Sequence, residues 1–406
     1  MPQNKYLVVQ LARMGDLIQS KRLILSLESA GEVCLLVDHS LRELAGIIYP
    51  GARILTLPAH GGKQFRPAER LEKIQAVFKA LLAEDFDQVY NLNFSGLNFS
   101  LARLFPPEKT QGYLMINGQP SKSKWTRMAF NLTRSRAKSP INLVDLWGLH
   151  APEPVHPDRI NPCPGPGGDE LAVVLAGRNQ RRSIPAQVLS GLIFSLLQRT
   201  SASSAVLLGG GQDRAKAAEL KKYLPRSISR SLKDLTGKTS WSDLVDKIGS
   251  SAAVLTPDTG PMHLAAHLGV PVWAFFFSSA WCFETGPYGS GHNIFQTVPA
   301  CAPCLENRPC RFKMKCHKLL ADPELLRFIL KKTAQPPEDI LYMRSEIDCL
   351  GTIYNPVCGE DPYRLQRGQL RECLYAYHFP DQDRHFFIGP EAAGYIYPER
   401  EWMLPD

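Results

Sequence analysis

No stretch of the 406-residue chain approaches 18 consecutive apolar residues, which excludes a helix long enough to span a bilayer. The N-terminus carries no secretory pattern: the apolar run Tyr6–Ala12 is short, is interrupted by Gln10 and runs directly into Arg13. Such a chain is expected in the cytoplasm. No G-x-G-x-x-G follows the first candidate strand of either half, which argues against a dehydrogenase. No helix-turn-helix, zinc-finger or RNA-recognition signature is present, so nucleic acid is not an expected partner. Low-complexity tracts are absent too, and 44% hydrophobic with 21% charged residues excludes wholesale disorder.

What is present is enough chain for two domains. Lys and Arg (47) exceed Asp and Glu (39), and residues 1–150 hold 19 basic against 12 acidic side chains. Nearly the whole excess therefore lies in the first third. It forms either an ordinary solvated face or a field that draws an anionic partner. Of ten cysteines, Cys301, Cys304, Cys310 and Cys316 cluster as C-x2-C-x5-C-x5-C. Without a secretion signal a disulfide scaffold is not expected. Four thiolates suit zinc or iron, but reduced thiols packing a long loop are the plainer reading, and no metal is expected.

Short apolar runs alternate with amphipathic stretches. Tyr6–Leu11, Glu32–Val37, Ala52–Leu57 and Gln88–Leu92 read as strands, with helices at Leu17–Ser29 and Glu69–Ala83. The rhythm restarts after residue 170. Leu171–Leu175, Ala205–Leu208, Ala252–Thr256 and Val270–Phe276 read as strands, and Pro185–Gln198, Asp213–Tyr223, Trp241–Ile248 and Pro261–Leu268 as helices. This alternation predicts an α/β protein with two doubly wound sheets. Between the halves, His150–Glu170 holds six prolines and three glycines and can hardly be an internal strand. The expected division is a domain at 1–150, a linker at 151–170, a domain at 171–334 and an extension at 335–406. The extension shows little periodicity and either packs as an appendage or crosses back to the first domain.

Four segments carry candidate chemistry. Asp258-Thr259-Gly260-Pro261-Met262-His263 follows a strand, and Pro261 marks a helix start with Thr259 or Gly260 at the cap. Open backbone N–H groups there would accommodate phosphate, with His263 adding a donor; the plain alternative is a well-capped core helix. In Arg13-Met14-Gly15-Asp16, Asp16 is either a helix cap or a general base with Arg13 beside it. Ala176–Pro185 carries Arg178, Arg181 and Arg182, a solvated loop or a clamp for a pyrophosphate. Ser121–Lys138 carries Lys122, Lys124, Arg127, Arg134, Arg136 and Lys138 with no acid, interleaved with Trp125 and Phe130.

Together these segments resemble glycosyltransferase family 9, the bacterial ADP-heptose:lipopolysaccharide heptosyltransferases, over roughly residues 5–330. Arg13-Met14-Gly15-Asp16 is similar to the family's R-x-G-D. Leu207–Gly211 with Asp213 resembles its Gly-rich strand end, and Leu235-Thr236-Gly237-Lys238-Thr239-Ser240 its L-x-G-K-T-S. Asp258–Ala266 resembles its most diagnostic motif. Gly286-Pro287-Tyr288-Gly289 and the cysteine loop are similar to its C-terminal signature. The resemblance implies a GT-B fold, two Rossmann-like domains facing a cleft, and inverting, metal-independent transfer from ADP-heptose with no other cofactor. It implies Asp16 as the base. It places Arg181 or Arg182, Thr239, Asp258, Thr259, Gly260 and His263 at the donor. The acceptor would be a phosphorylated lipopolysaccharide inner core. Arg13, Lys63, Arg66, Arg70, Lys122, Lys124 and Arg127 would face that anionic glycolipid at the inner face of the cytoplasmic membrane. Where the family usually has Lys followed by Trp-Pro, this chain has Arg181-Arg182 and Ile184-Pro185. The alternatives are another nucleotide sugar, a protein or surface-glycan acceptor, or a non-catalytic sugar-nucleotide or nucleic-acid binding module.

Overall fold

The computed structural model describes residues 4–379 apart from 61–64, 178, 201, 278 and 305–307. The chain divides into two compact units. Among the described residues the first comprises 4–134, 143–155 and 372–379, and the second 135–142 and 156–371.

The first unit holds strands β1 (Asn4–Gln10), β2 (Gly31–Asp38), β3 (Arg53–Leu57), β4 (Gln88–Asn91), β5 (Thr110–Ile116) and β6 (Gln119–Lys122). They lie in the order β3-β2-β1-β4-β5-β6. Every neighbouring pair is parallel except β5–β6. That pair is a hairpin closed by Asn117 and Gly118, both at positive φ (50° and 79°), the pairing of residues that a two-residue hairpin turn favours. β1 and β2 are buried almost throughout, as expected of strands covered on both faces. The helical stretch expected at Leu17–Ser29 is two helices, Met14–Gln19 and Lys21–Glu28. They part at Ser20, whose hydroxyl donates to the Leu17 carbonyl at 2.6 Å and so competes with the helical ladder. Arg22 of the second helix pairs with Asp145 at 2.7 Å in the interior and donates to Val155 O at 3.0 Å.

The second unit holds β7 (Glu170–Val174), β8 (Ser204–Leu208), β9 (Lys233–Asp234), β10 (Ser251–Pro257), β11 (Val272–Phe276), β12 (Asn293–Thr297), β13 (Ile340–Ile347) and β14 (Thr352–Cys358). The order is β14-β13-β12-β11-β10-β7-β8-β9. From β9 to β11 this repeats β3 to β5 of the first sheet in order and direction, whereas β12 runs parallel to β11 where β6 is antiparallel to β5. Each unit is therefore a doubly wound α/β sheet of Rossmann type. β13 and β14 then continue the second sheet antiparallel. The first part of the extension is thus sheet. Its anchor is aromatic: Phe275 stacks on Phe295 at 4.8 Å, and Phe295 on Tyr342 of β13 at 5.0 Å. The helix Arg364–His378 follows, and its Tyr377 stacks on Trp125 at 6.0 Å within the first unit.

The proline-rich stretch before β7 is irregular apart from a single turn at Pro157–Arg159. Gly167 donates to Ser251 O at 2.9 Å. A Cβ at Gly167 would lie 2.0 Å from Gly249 O, so only glycine permits this approach. Among the described residues no helix is long and apolar enough to cross a membrane.

Candidate functional site

In both sheets the strand order reverses beside the first strand, between β1 and β4 and between β7 and β10. Loops leaving the C-terminal ends of those strands diverge and leave a place for ligand. Arg13 and Asp16 follow β1, Arg181 and Arg182 follow β7, and Asp258, Thr259 and Gly260 follow β10; Thr239 and the expected acceptor-facing cations beyond Arg13 lie elsewhere.

In the second unit the loop after β7 turns through Gln180–Arg182, capped by Asn179, whose side chain accepts from the Arg182 N–H at 3.2 Å. Gly177 makes the turn possible, since a Cβ there would lie 2.0 Å from Arg182 O. The turn brings the Arg182 guanidinium onto the Asp258 carboxylate and, at 3.3 Å, onto the Asp258 carbonyl. Thr285 Oγ1 donates to the same carboxylate at 3.2 Å. Burial pushes the Asp258 carboxyl above the usual range, and the Arg182 charge and the Thr285 hydroxyl oppose that push. Asp258 therefore acts here by holding Arg182. Thr259 is the N-cap of the helix Gly260–His267, in extended backbone, and its side chain caps nothing among the described residues. Pro261 has no N–H, and the Gly260 N–H opens the first turn. His263 is buried in that turn, 5% exposed.

Glu284 was not foreseen, and Arg136, expected only as part of the basic stretch Ser121–Lys138, was not foreseen at this site. Glu284 lies on the short helix Cys282–Thr285, and Arg136 meets it at 3.5 Å while donating to Ser279 O at 2.6 Å. Burial raises the Glu284 carboxyl, and Arg136 opposes the rise. Glu284 and Thr285 directly precede Gly286-Pro287-Tyr288-Gly289, and that adjacency was the available signal. The Gly-Pro-Tyr-Gly turn itself is a packing hub. Asn142 donates to Gly286 O at 3.2 Å and to the Tyr354 hydroxyl at 2.8 Å, and a Cβ on Gly286 would collide with Tyr354.

Thr239 precedes Ser240, which caps the helix Trp241–Gly249 through reciprocal bonds with Asp243. The segment docks on the glycine-rich end of β8: Gly237, at φ +67°, donates to Gly209 O at 2.8 Å. Arg181 points elsewhere. Its guanidinium donates to Cys304 Sγ at 2.9 Å and to Arg308 O, and its carbonyl lies 3.2 Å from His317 Nε2. It lines a cavity of about 630 Å³ with Ser279, His317 and the four clustered cysteines. These cysteines are free thiols. Burial raises the Cys304 thiol against the Arg181 charge, while backbone N–H groups of Met314 and Phe312 lower Cys310. Among the described residues no group of three or more His, Cys, Asp or Glu is arranged to hold a metal ion.

In the first unit Asp16 is half-buried, and one of its carboxylate oxygens accepts the Arg13 N–H at 3.1 Å, the helix-capping contact. Arg13 is exposed. Gln10 secures the turn: it donates to Asp16 O at 3.2 Å and accepts from Asn93 Nδ2 at 2.5 Å, while Asn93 accepts the Leu11 N–H at 2.6 Å. Asn93 follows β4, so the two edges of the first reversal are joined. Neither Gln10 nor Asn93 was foreseen.

The expected acceptor-facing cations divide. Lys124, Arg127 and Arg66 are exposed. Lys122 is not on that surface. The pleat of β6 turns it inward opposite Tyr113, leaving it 4% exposed. Arg70 braces the loop after β3, donating to Pro58 O at 3.0 Å and Ala59 O at 2.9 Å. Lys63 lies outside the described residues, as does Arg178.

Two Rossmann-type units in one chain give the GT-B fold. Solved structures agree. A glycosyltransferase family 9 protein of Veillonella parvula aligns with a TM-score of 0.60 at 15% identity, over 82% of this chain and 99% of that one. The E. coli ADP-heptose LPS heptosyltransferase II aligns with a TM-score of 0.52 at 15% identity, over 81% and 99%. Residues 193–315 match the model of glycosyltransferase family 9 (heptosyltransferase). Lipooligosaccharide heptosyltransferase 2 of Haemophilus influenzae is 32% identical over 77 residues, which is 19% of this chain and 22% of that protein.

Proposed function

We propose that the protein is an inverting glycosyltransferase that moves a heptose from ADP-heptose to a phosphorylated lipopolysaccharide inner-core acceptor, using protein donors alone to neutralise the leaving group. One observation carries the reading. Asp258 and the open first turn at Gly260, both within the segment that matches the family 9 model, meet Arg182 at the strand reversal of the second sheet. A guanidinium and a helix N-terminus together suit a diphosphate. The named activity of the E. coli structural neighbour supplies the sugar nucleotide.

In this reading the acceptor oxygen forms a bond to the anomeric carbon, and its proton passes to the Asp16 carboxylate. The bond from that carbon to the β-phosphate oxygen breaks, and its electron pair leaves with ADP. Negative charge grows on the diphosphate as the bond opens, so donors at Arg182 and Gly260 stabilise the transition state more than the ground state. The exposed Lys124 and Arg127 of the first unit, with Arg66, serve the anionic acceptor at the inner face of the membrane.

The test is nucleoside-diphosphate release from a panel of nucleotide sugars, with and without truncated core oligosaccharide, and mass spectrometry of the product. Acceptor-dependent ADP release with one added heptose is expected. Turnover of a different nucleotide sugar, or binding without turnover, would replace the reading.

A further inference from the structure

We propose that Arg136 is a second guanidinium for the donor diphosphate, held in place by Arg367 of the C-terminal extension. The proposal rests on the nucleotide-sugar reading of the second unit.

Arg136 lies in the all-basic stretch Ser121–Lys138, yet residues 135–142 group with the second unit. Its charge reaches the Asp258 and Glu284 carboxyls, so it stands in the same cluster as Arg182. The two arginines differ in what remains open. The Arg182 side chain is 18% exposed and is taken up by Asp258; that of Arg136 is 41% exposed. Its Nε faces Glu284 and one terminal nitrogen donates to Ser279 O, and among the described residues the other N–H groups of this five-donor fork are not taken up. Its anchor Ser279 lines the large cavity beside Arg181. A planar fork next to a half-neutralised carboxylate cluster and a helix N-terminus suits two adjacent phosphates, for which one guanidinium already committed to Asp258 is too few.

The extension explains why so exposed an arginine keeps its place. Arg367 Nη1 donates to Ala137 O at 2.6 Å, one residue beyond Arg136. Its guanidinium carbon lies 3.3 Å from the centre of the Phe283 ring, one residue before Glu284. A single side chain thus grips the neighbours of both members of the Arg136–Glu284 pair. Asp361 pairs with Arg367 and fixes its plane. Arg371 repeats the device one turn later, donating to Pro140 O at 2.6 Å while paired with Asp348. Arg367 is a positioning residue, and β13, β14 and the start of the following helix are its mount.

The experiment is calorimetric titration of the full chain with ADP and with AMP. Arg136→Ala should weaken ADP about 10- to 100-fold, the worth of a charge-assisted contact, and AMP less than about threefold. Arg136→Lys should fall between. Arg367→Ala should erode the ADP-over-AMP preference in the same direction and add little in the Arg136→Ala background. An equal loss for both nucleotides, or unchanged ADP affinity in Arg136→Ala, overturns the proposal while leaving the nucleotide-sugar reading intact. Absence of ADP binding by the parent chain overturns both. If Arg367→Ala lowers the melting temperature too far to titrate, the two Arg136 variants decide.

Discussion

The guanidinium of Arg182 donates to both the carboxylate and the carbonyl of Asp258, so one side chain joins the loop after β7 to the end of β10 across the strand reversal. Removing the acid strands a largely buried cation. Asp258→Ala should therefore cost about 3 kcal/mol of unfolding free energy, in the range for breaking a buried pair from one side. Asp258→Asn, which keeps the shape and one acceptor, should cost less. Urea unfolding with an unchanged m-value gives the comparison. A loss below about 1 kcal/mol for Asp258→Ala would show that the pair does not hold the site together.

Asp16 does two jobs that substitution can separate. Its carboxylate accepts the Arg13 N–H, and in the proposed reaction it also takes the acceptor proton. Asp16→Asn keeps an oxygen for the cap and loses the base. Turnover should fall about 10²- to 10⁴-fold with a melting temperature near the parent's. Asp16→Ala should lose turnover and also about 1 kcal/mol of stability through the cap. If Asp16→Asn turns over like the parent, the carboxylate is a cap and nothing more.

The wound core of each unit could be read because parallel strands covered on both faces leave near-continuous apolar runs, as in Leu7–Val9 and Leu171–Val174. The extension resisted reading for a physical reason. β13 alternates, burying Leu341, Met343 and Ser345, but Arg344 and Glu346 between them dilute the pattern, and one buried position is a serine. The β5–β6 hairpin has its turn signal in Asn117-Gly118, but β6 is only four residues long, is largely polar and contains Pro120, so the pair has no strand pattern on its second side. Asp16, Arg182 and Asp258 stood at strand ends that the motifs marked. Arg136 and Glu284 did not, since their pairing joins positions nearly 150 residues apart in sequence and no local rule announces it.

Gly237 offers a backbone test of the docking between the two glycine-bearing segments. It sits at φ +67°, and a Cβ there would lie 2.8 Å from the Gly211 Cα. Gly237→Ala therefore meets both a disfavoured conformation and a rigid backbone neighbour. It should lose about 1–3 kcal/mol. It should also displace Thr239, so nucleotide affinity should fall with stability. The same change at Gly46, which has nothing within 4 Å and no positive φ, is the control and should be neutral or slightly stabilising. Equal effects at the two positions would dismiss the close approach.

Acid should weaken the fold before most carboxylates titrate. His292 is 1% exposed, and its ring Nδ1 accepts the Val272 N–H at 3.3 Å. Burial and the nearby Arg344 charge push its pKa down to about 4, and a bond to the Tyr288 backbone opposes them. Burial likewise lowers His150 and His378 to about 4. Between that value and the ordinary one near 6.5, the unfolded chain binds more protons than the folded one, so stability is complete above about pH 6.5 and falls as pH drops toward 4. Each histidine contributes about 3 kcal/mol at most across that window. The Asp234 carboxyl, lowered to about 2 by its bonds to Lys221 and Thr236 against the cost of burial, titrates only below it. His292→Asn retains an acceptor near Nδ1 but cannot take up the proton. Its melting temperature should therefore change less between pH 7 and pH 4.5 than the parent's, even though it starts lower at pH 7. Parallel curves for the two proteins would assign the acid sensitivity elsewhere.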